Sequence, residues 1–154
     1  MKILMVCLGN ICRSPLAEGI LQDKVKKRGL QWIVDSAGTE RYHIGEPPHP
    51  LSQKVASQHG IDISHQRARR FKAADIDQFD IVFALAKDVL EEIKHLSASR
   101  FNAHKVKLLM EELYPGEERD VPDPWYGPEP GYQDAYEIIE RACEAVIQNY
   151  TIKV

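Results

Sequence analysis

The first fifteen residues limit the fold of this chain more than any other stretch. An uninterrupted apolar run, ILMV at positions 3–6, predicts a buried strand over residues 2–6. A six-residue turn follows. A helix is expected from Ser14, because serine is a favoured N-cap and Pro15 needs no N–H partner there. The backbone N–H groups of such a loop converge at the positive end of the helix dipole. The sequence therefore predicts an anion site, which Cys7 opens and Arg13 closes.

The rest of the chain alternates between apolar strand patterns and amphipathic helix patterns. Further strands are expected at residues 32–34, 79–85 and 106–110, and helices at 14–28, 51–59, 89–96 and 132–148. That alternation is typical of βαβ units and of a parallel sheet covered on both faces. We therefore predict an α/β fold: a single three-layer domain over residues 1–154, with a four-stranded parallel sheet of flavodoxin-like topology. In such sheets the functional site lies at the carboxyl ends of the strands.

Composition and motifs exclude several classes of protein. The net charge of −3 gives no general attraction to nucleic acid or to an anionic membrane. The chain begins directly in a strand and has no apolar run of about 18 residues, so we expect a cytoplasmic protein. There are three cysteines but no cysteine–histidine cluster, and the glycine-rich ATP and dinucleotide motifs are missing. We therefore expect neither a metal nor a cofactor.

Cys7 has the surroundings of a reactive thiol, since a helix N-terminus and a nearby arginine favour the thiolate. A free cysteine at a strand end is also commonly just a small buried residue. The neighbours favour the reactive alternative. Gly9 and Asn10 suit a tight loop, and Arg13 offers a planar fork for two phosphate oxygens. Ser14 can cap the helix or point its hydroxyl at the thiolate.

A second candidate lies in the long loop at residues 114–131, whose length alone suggests a function. Asp123 precedes Pro124, a pair that most often initiates a turn. Trp125 and Tyr126 follow, and aromatic residues in a proline-rich loop suit the walls of a pocket for a flat ring. From the residues alone, a turn and a proton donor both remain open for Asp123.

The stretch from Cys7 to Pro15 resembles the signature of the low-molecular-weight protein tyrosine phosphatases. Residues 35–39, 60–65 and 123–126 agree with that family, so the similarity spans essentially the whole chain. The resemblance implies hydrolysis of protein phosphotyrosine and small aryl phosphates through a phosphocysteine, without a metal. It implies Cys7 as the nucleophile and Asp123 as the general acid and base. The residues implied to hold the phosphate are Leu8, Gly9, Asn10, Ile11, Cys12, Arg13 and Ser14.

Other residues match family positions with supporting roles. The resemblance implies an aromatic slot formed by Ile11, Tyr42, Trp125 and Tyr126. It implies that the loop is supported by hydrogen bonds from Asn10, Ser36 and His65. The second loop cysteine, here Cys12, can form a disulfide with the nucleophile in that family. Bacterial members often act on autophosphorylated tyrosine kinases or other phosphotyrosine proteins, so such a partner is expected. The protein itself is expected to be a monomer or a weak dimer.

Two features of the sequence are less easily matched to the family pattern. The family often has an aspartate after the third strand, where this chain has Ala86. If that aspartate helps to support Arg13, the support must come from elsewhere here, and Asp88 is close in sequence. The basic run at residues 67–72 is interpreted as a solvated face rather than a guide for acidic substrates.

Three alternative functions were weighed. A thioredoxin-coupled arsenate reductase shares the fold and loop, but its chemistry needs further cysteines. None lies between Cys12 and Cys143, and Cys143 is expected in the core. A protein arginine phosphatase is a close relative that carries threonine in place of Ile11 and lacks bulky aromatics after Asp-Pro. The third alternative is a catalytically weak phosphotyrosine-binding regulatory module. The joint presence of a thiol, an arginine and a proton donor argues against it.

Overall fold

The computed structural model describes residues 1–151, apart from the side chain of Tyr126. The strands are β1 (Lys2–Cys7), β2 (Ile33–Gly38), β3 (Ile81–Ala84) and β4 (Val106–Leu108), and the helices are α1 (Arg13–Lys27), α2 (Pro50–Gln58), α3 (Asp75–Gln78), α4 (Lys87–Ser97) and α5 (Pro130–Thr151). Three short 3₁₀ helices lie at Ala98–Arg100, Leu109–Glu112 and Pro124–Tyr126.

The four strands form one parallel sheet in the order β2-β1-β3-β4. β1 is central, and its last residue, Cys7, pairs in register with Gly38 at the end of β2. The chain order of the strands reverses direction at β1, which makes the carboxyl end of β1 a topological switch point. The predicted parallel sheet and flavodoxin-like topology are confirmed.

Apolar side chains alternate between the two faces of β1 and fill two separate cores. Ile3 and Met5 pack into a core with α1, α2 and α5. Leu4 and Val6 pack into the other core, with α3 and α4. A strand that is buried on both faces needs apolar residues at successive positions, which is why residues 3–6 lack the alternation of a half-exposed strand.

The element boundaries differ from the predicted ones where hydrogen-bond partners are distant in sequence. β2 continues to Gly38 rather than ending at Val34, because its partner β1 continues to Cys7. β3 and β4 are shorter than predicted, and residues 109–110 belong to a 3₁₀ helix. α1 begins at Arg13, so Ser14 lies in the first turn and makes no capping hydrogen bond. The predicted N-cap role of Ser14 is therefore wrong.

None of the helices within residues 1–151 combines the length and the apolar character that crossing a bilayer requires.

Candidate active site

The loop between β1 and α1 forms the floor of a cleft of about 300 Å³ at the carboxyl ends of the strands. The cleft is lined by Cys7, Leu8, Gly9, Ile11, Cys12, Arg13, Glu40, Tyr42, His43, Asp123 and Trp125. All three residues implied to be catalytic thus lie on one cleft, as do Ile11, Tyr42 and Trp125 of the implied aromatic slot. The side chain of Tyr126 lies outside the described residues. Asn10 and Ser14 do not line the cleft, because their side chains lie beneath its floor.

The thiol of Cys7 is held at the bottom of the cleft by the loop itself. Its Sγ is 3.0 Å from Ser14 Oγ and accepts a hydrogen bond from the backbone N–H of Asn10 at 3.3 Å. Asn10 has a φ of 58°, a left-handed conformation that asparagine tolerates better than most residues. The sulfur is therefore in polar contact with both the loop backbone and the Ser14 hydroxyl. Ser14 therefore serves the thiol, the second of its two predicted roles.

Close contact with β2 fixes the shape of the loop from one side. A methyl group at Gly38 would lie 2.8 Å from Leu8 O and 2.9 Å from Asn10 N, so the strand leaves no room for a side chain. The backbone N–H of Thr39 donates to Cys7 O, and that of Glu40 donates to Leu8 O. The loop is therefore seated directly against the end of β2.

Asn10 and Ser36 form a buried hydrogen-bond network under the loop, as predicted. Asn10 Nδ2 donates to Ser14 Oγ at 2.8 Å and to Ser36 Oγ at 3.0 Å. Ser36 Oγ in turn donates to Glu18 Oε1 at 2.6 Å. Asn10 Oδ1 accepts from the backbone N–H of Arg69 at 3.0 Å. A continuous chain of polar contacts therefore runs from Glu18 to the Cys7 thiol.

The carboxyl group of Glu18 is a titratable group buried inside this network. Only 7% of Glu18 is exposed, and burial raises its pKa from 4.5 to about 7. The hydrogen bond from Ser36 lowers the pKa and the nearby charge of Asp35 raises it, but both effects are smaller than burial. The charge on this group therefore changes near neutral pH.

The structure contradicts the prediction for His65. His65 is exposed and forms no hydrogen bond with the other described residues, so it does not support the loop. The neighbouring Gln66 points inward instead and donates to Pro15 O at 3.1 Å. Glu18 and the backbone of Arg69 are the further members of the network with Asn10 and Ser36.

Arg13 joins the loop to the segment that carries Asp123. Its side chain is buried, Nη1 donates to Val121 O at 3.0 Å, and Nη2 lies 3.6 Å from Asp123 Oδ2. The backbone N–H of Val121 donates to Leu85 O at the end of β3, at 2.8 Å. The support for Arg13 thus comes from a backbone carbonyl. Asp88 instead accepts a hydrogen bond from Val89 N at the start of α4.

The carboxylate of Asp123 is oriented by its own segment. Oδ1 accepts from the backbone N–H of Trp125 at 3.1 Å and so caps the 3₁₀ helix Pro124–Tyr126, which leaves Oδ2 on the cleft side towards Arg13. The turn interpretation and the proton-donor interpretation of Asp123 are therefore compatible, because the turn uses only one of its two oxygens.

Two histidines hold Trp125 as a wall of the cleft. The Trp125 ring lies 5.6 Å from the His43 ring and 5.4 Å from the His49 ring, between ring centroids. His49 also stacks on Tyr132 at 5.1 Å, and burial lowers its pKa. Tyr42, which also lines the cleft, is 80% exposed. Of these two cleft-lining residues, Trp125 is therefore packed against other rings and Tyr42 is largely exposed.

Cys12 is a buried neutral thiol. Burial raises its pKa to about 12, and its Sγ lies 3.8 Å from the hydroxyl of Tyr132. All three cysteines are free, and Cys143 lies in the core as predicted. A disulfide between Cys12 and Cys7 stays a prediction. Within residues 1–151, no group of three or more histidine, cysteine or acidic side chains is placed to hold a metal ion.

Sequence reasoning missed several residues of the site. Glu18 lies four residues after Ser14 and therefore on the same face of α1, a spacing that could have revealed it. Glu40 and His43 lie in the same loop as Tyr42. Val121 acts through its backbone carbonyl, so no side-chain pattern could have identified it.

Comparison with known proteins identifies the family. A family model described as low molecular weight phosphotyrosine protein phosphatase matches residues 2–153. The low molecular weight protein-tyrosine-phosphatase YfkJ of Bacillus subtilis is 34% identical over 148 residues, covering 95% of this chain and 93% of that protein. A protein tyrosine phosphatase from Entamoeba histolytica matches with a TM-score of 0.89 and 34% identity, over 97% of this chain and 96% of that one. The Drosophila arginine phosphatase matches with a TM-score of 0.92 and 35% identity, over 100% of both chains. The chain therefore belongs to the low molecular weight phosphotyrosine protein phosphatase family, a family of hydrolases.

Proposed function

We propose that this protein hydrolyses phosphotyrosine in proteins, together with small aryl phosphates, through a phosphocysteine intermediate. The observation that carries the proposal is that Cys7, Arg13 and Asp123 line one cleft, although Asp123 lies far from the other two in sequence. A phosphotyrosine protein is the expected partner, and an autophosphorylated tyrosine kinase is one substrate of that kind.

In the first step, the Cys7 thiolate attacks phosphorus in line with the bond to the tyrosine oxygen. An S–P bond forms, and the P–O bond to the phenol breaks. Negative charge lies on the three equatorial oxygens in the transition state. Arg13 and the N–H groups of the loop face that charge from fixed positions, which is the main source of stabilisation in such sites.

Asp123 gives its proton to the leaving phenolate oxygen and then accepts a proton from the attacking water in the second step. The dianionic ester takes over the contact with Arg13 that the carboxylate has at 3.6 Å. Water then breaks the S–P bond and regenerates the thiolate, with release of inorganic phosphate.

The walls of the cleft favour a flat aromatic leaving group. Ile11, Tyr42 and Trp125 offer apolar surface to the cleft, and an aromatic ring packs well against such side chains face to face or edge to face. Hydrolysis of phosphoarginine is the second candidate, because the Drosophila arginine phosphatase matches the whole chain. Ile11 and the two aromatics after Asp123-Pro124 favour phosphotyrosine.

The test uses p-nitrophenyl phosphate with freshly reduced protein in the presence of a metal chelator. We expect turnover by the native chain and none by Cys7→Ser. Serine has a side chain of similar size to cysteine but cannot supply a thiolate. Turnover that persists unchanged in Cys7→Ser would refute the mechanism. Phosphotyrosine and phosphoarginine peptides of the same sequence then decide between the two substrate classes.

The role of Asp123 is tested with a series of aryl phosphates whose leaving groups differ in basicity. Asp123→Asn should slow the poor leaving groups far more than the good ones, since only poor leaving groups need the proton. Equal losses across the series would remove Asp123 from the acid role.

A further inference from the structure

Four basic residues lie on two segments next to the cleft, and we refer to them together as the basic edge: Arg41, Arg67, Arg70 and Lys72. These residues belong to two segments that are joined by backbone hydrogen bonds. Gly45 N donates to Ala68 O at 2.8 Å, and Ala68 N donates to Glu46 O at 2.9 Å. The segment at residues 66–72 therefore lies alongside the loop at residues 39–46, and that loop supplies Glu40, Tyr42 and His43 to the cleft.

Only some residues of the basic run at positions 67–72 form ion pairs that stabilise the fold. Arg69 is committed to the fold, because its guanidinium pairs with Asp75 at 3.1 Å and Asp35 at 3.2 Å. Arg70 Nε donates to Thr39 O at 3.1 Å, which places this guanidinium one residue from the wall of the cleft. Arg67 is exposed and bonds only to the carbonyls of its own turn. Arg67 and Arg70 thus remain charged groups without an anionic partner.

Most of the arginines that lack a carboxylate partner among the described residues belong to the basic edge. Five of the nine arginines form an ion pair with a carboxylate among the described residues. Arg141, which does not, is bonded to the hydroxyl of Tyr114. The other three without an ion pair are Arg41, Arg67 and Arg70, all on the basic edge.

The acidic groups beside the edge do not cancel its charge. Glu40 lines the cleft, and Glu46 is paired with the ring of His43 at 3.1 Å. Asp62, in the turn that Arg67 contacts, is a third acidic group nearby, so the four cations still outnumber the neighbouring carboxylates. Ile44, 56% exposed, adds apolar surface on the same loop, two residues after Tyr42. A surface of exposed apolar side chains bordered by unpaired arginines fits an acidic peptide segment.

In contrast to the solvated face expected from the sequence, we propose that the basic edge binds glutamate or aspartate side chains that flank the phosphotyrosine of a protein substrate. This inference rests on the proposed function and adds to it a preference for acidic sequence context. Exposed charge pairs of this kind each contribute modestly and are screened by salt. The preference is therefore a rate advantage at low ionic strength rather than an absolute requirement.

The test compares two phosphotyrosine peptides that differ only in flanking glutamate or glutamine residues. For the native chain at low salt, kcat/KM should be about threefold to tenfold higher for the glutamate peptide, and the advantage should shrink at about 0.5 M salt. The double variant Arg41→Gln/Arg67→Gln should lose most of this advantage. Its hydrolysis of p-nitrophenyl phosphate should stay unchanged, because neither residue lines the cleft.

A matched control removes two exposed cations at the opposite end of the sheet, in Lys26→Gln/Arg100→Gln. The control should keep the full preference for the glutamate peptide. Equal kcat/KM values for the two peptides with the native chain, or a preference that survives in Arg41→Gln/Arg67→Gln, would overturn the basic edge as a docking surface. A native chain that hydrolyses neither the peptides nor p-nitrophenyl phosphate would instead overturn the proposed function.

Discussion

Replacement of Glu18 by glutamine should make the protein more stable at alkaline pH and leave it unchanged at acid pH. The carboxyl group is buried and accepts hydrogen bonds from Ser36 at 2.6 Å and from Gln22 at 3.1 Å. Burial favours its neutral form, which raises its pKa to about 7. Glutamine has nearly the same shape and keeps an oxygen acceptor for Ser36, but it carries no charge at any pH.

The size of the effect follows from the two pKa values of Glu18. In the unfolded chain the group has its ordinary pKa of 4.5, and in the folded chain about 7. The folded state therefore holds the Glu18 proton more tightly than the unfolded state does. The contribution of Glu18 to the free energy of unfolding is fully present below pH 4.5 and is lost as the pH rises through about 7. Since one pKa unit is worth about 1.4 kcal/mol, the loss reaches about 3 kcal/mol at alkaline pH. Glu18→Gln should recover an amount of this order.

The measurement is urea unfolding of the native chain and of Glu18→Gln at a series of pH values between about 4 and 8. The difference in free energy of unfolding should be close to zero at the acid end and should grow steadily with pH. Glu137→Gln is the matched control, because Glu137 is exposed on α5 and its replacement should give no such trend. A Glu18→Gln variant that is equally destabilised at every pH would refute the burial argument.

Three further predictions concern the loop and its neighbours. Gly38→Ala should push the loop out of place and lower kcat at least tenfold in a p-nitrophenyl phosphate assay, since its new methyl group would meet backbone atoms at 2.8 to 2.9 Å. Asn10→Ala should lower the unfolding free energy by about 1 to 3 kcal/mol in urea, because it leaves Ser36 without its donor and puts alanine at a φ of 58°. His49 Nδ1 accepts from Leu51 N and its pKa is lowered by burial, so the native chain should lose stability as the pH falls below about 6.5. His49→Asn keeps a capping oxygen but does not titrate, so its melting temperature should fall less than that of the native chain between pH 8 and pH 5.

Short-range signals were enough to locate the loop and most of the cleft. The strand, turn and helix around Cys7 are adjacent in sequence, and glycine, asparagine and proline each have local preferences that indicate a tight anion site. The aromatic wall could be predicted as well, because Trp125 belongs to a loop too long and too polar to be a core element. Its position on the cleft agrees with that prediction.

The hydrogen-bond network could only be predicted in part, because its members are brought together by the fold. Asn10 and Ser36 were identified through the resemblance, but the third member was placed at His65 and is in fact Glu18. A buried glutamate on an otherwise ordinary helix gives no signal in composition, since charged helix residues are usually solvated. The backbone N–H of Arg69, which completes the network, has no residue-specific pattern at all.

The sheet order explains why these distant residues meet at the Cys7 loop. β1 is central, so the loop at its carboxyl end has a strand end on each side. On the side of β2, Ser36 and Gly38 determine the depth and shape of the loop. On the side of β3, Leu85 holds Val121, whose carbonyl holds Arg13. Cys7 and Asp123 are therefore aligned through two neighbours of one strand, which ties the geometry of the cleft to the register of the sheet. It follows that a substitution which shifts β2 or β3 relative to β1 would disturb catalysis even where the cleft residues themselves are unchanged.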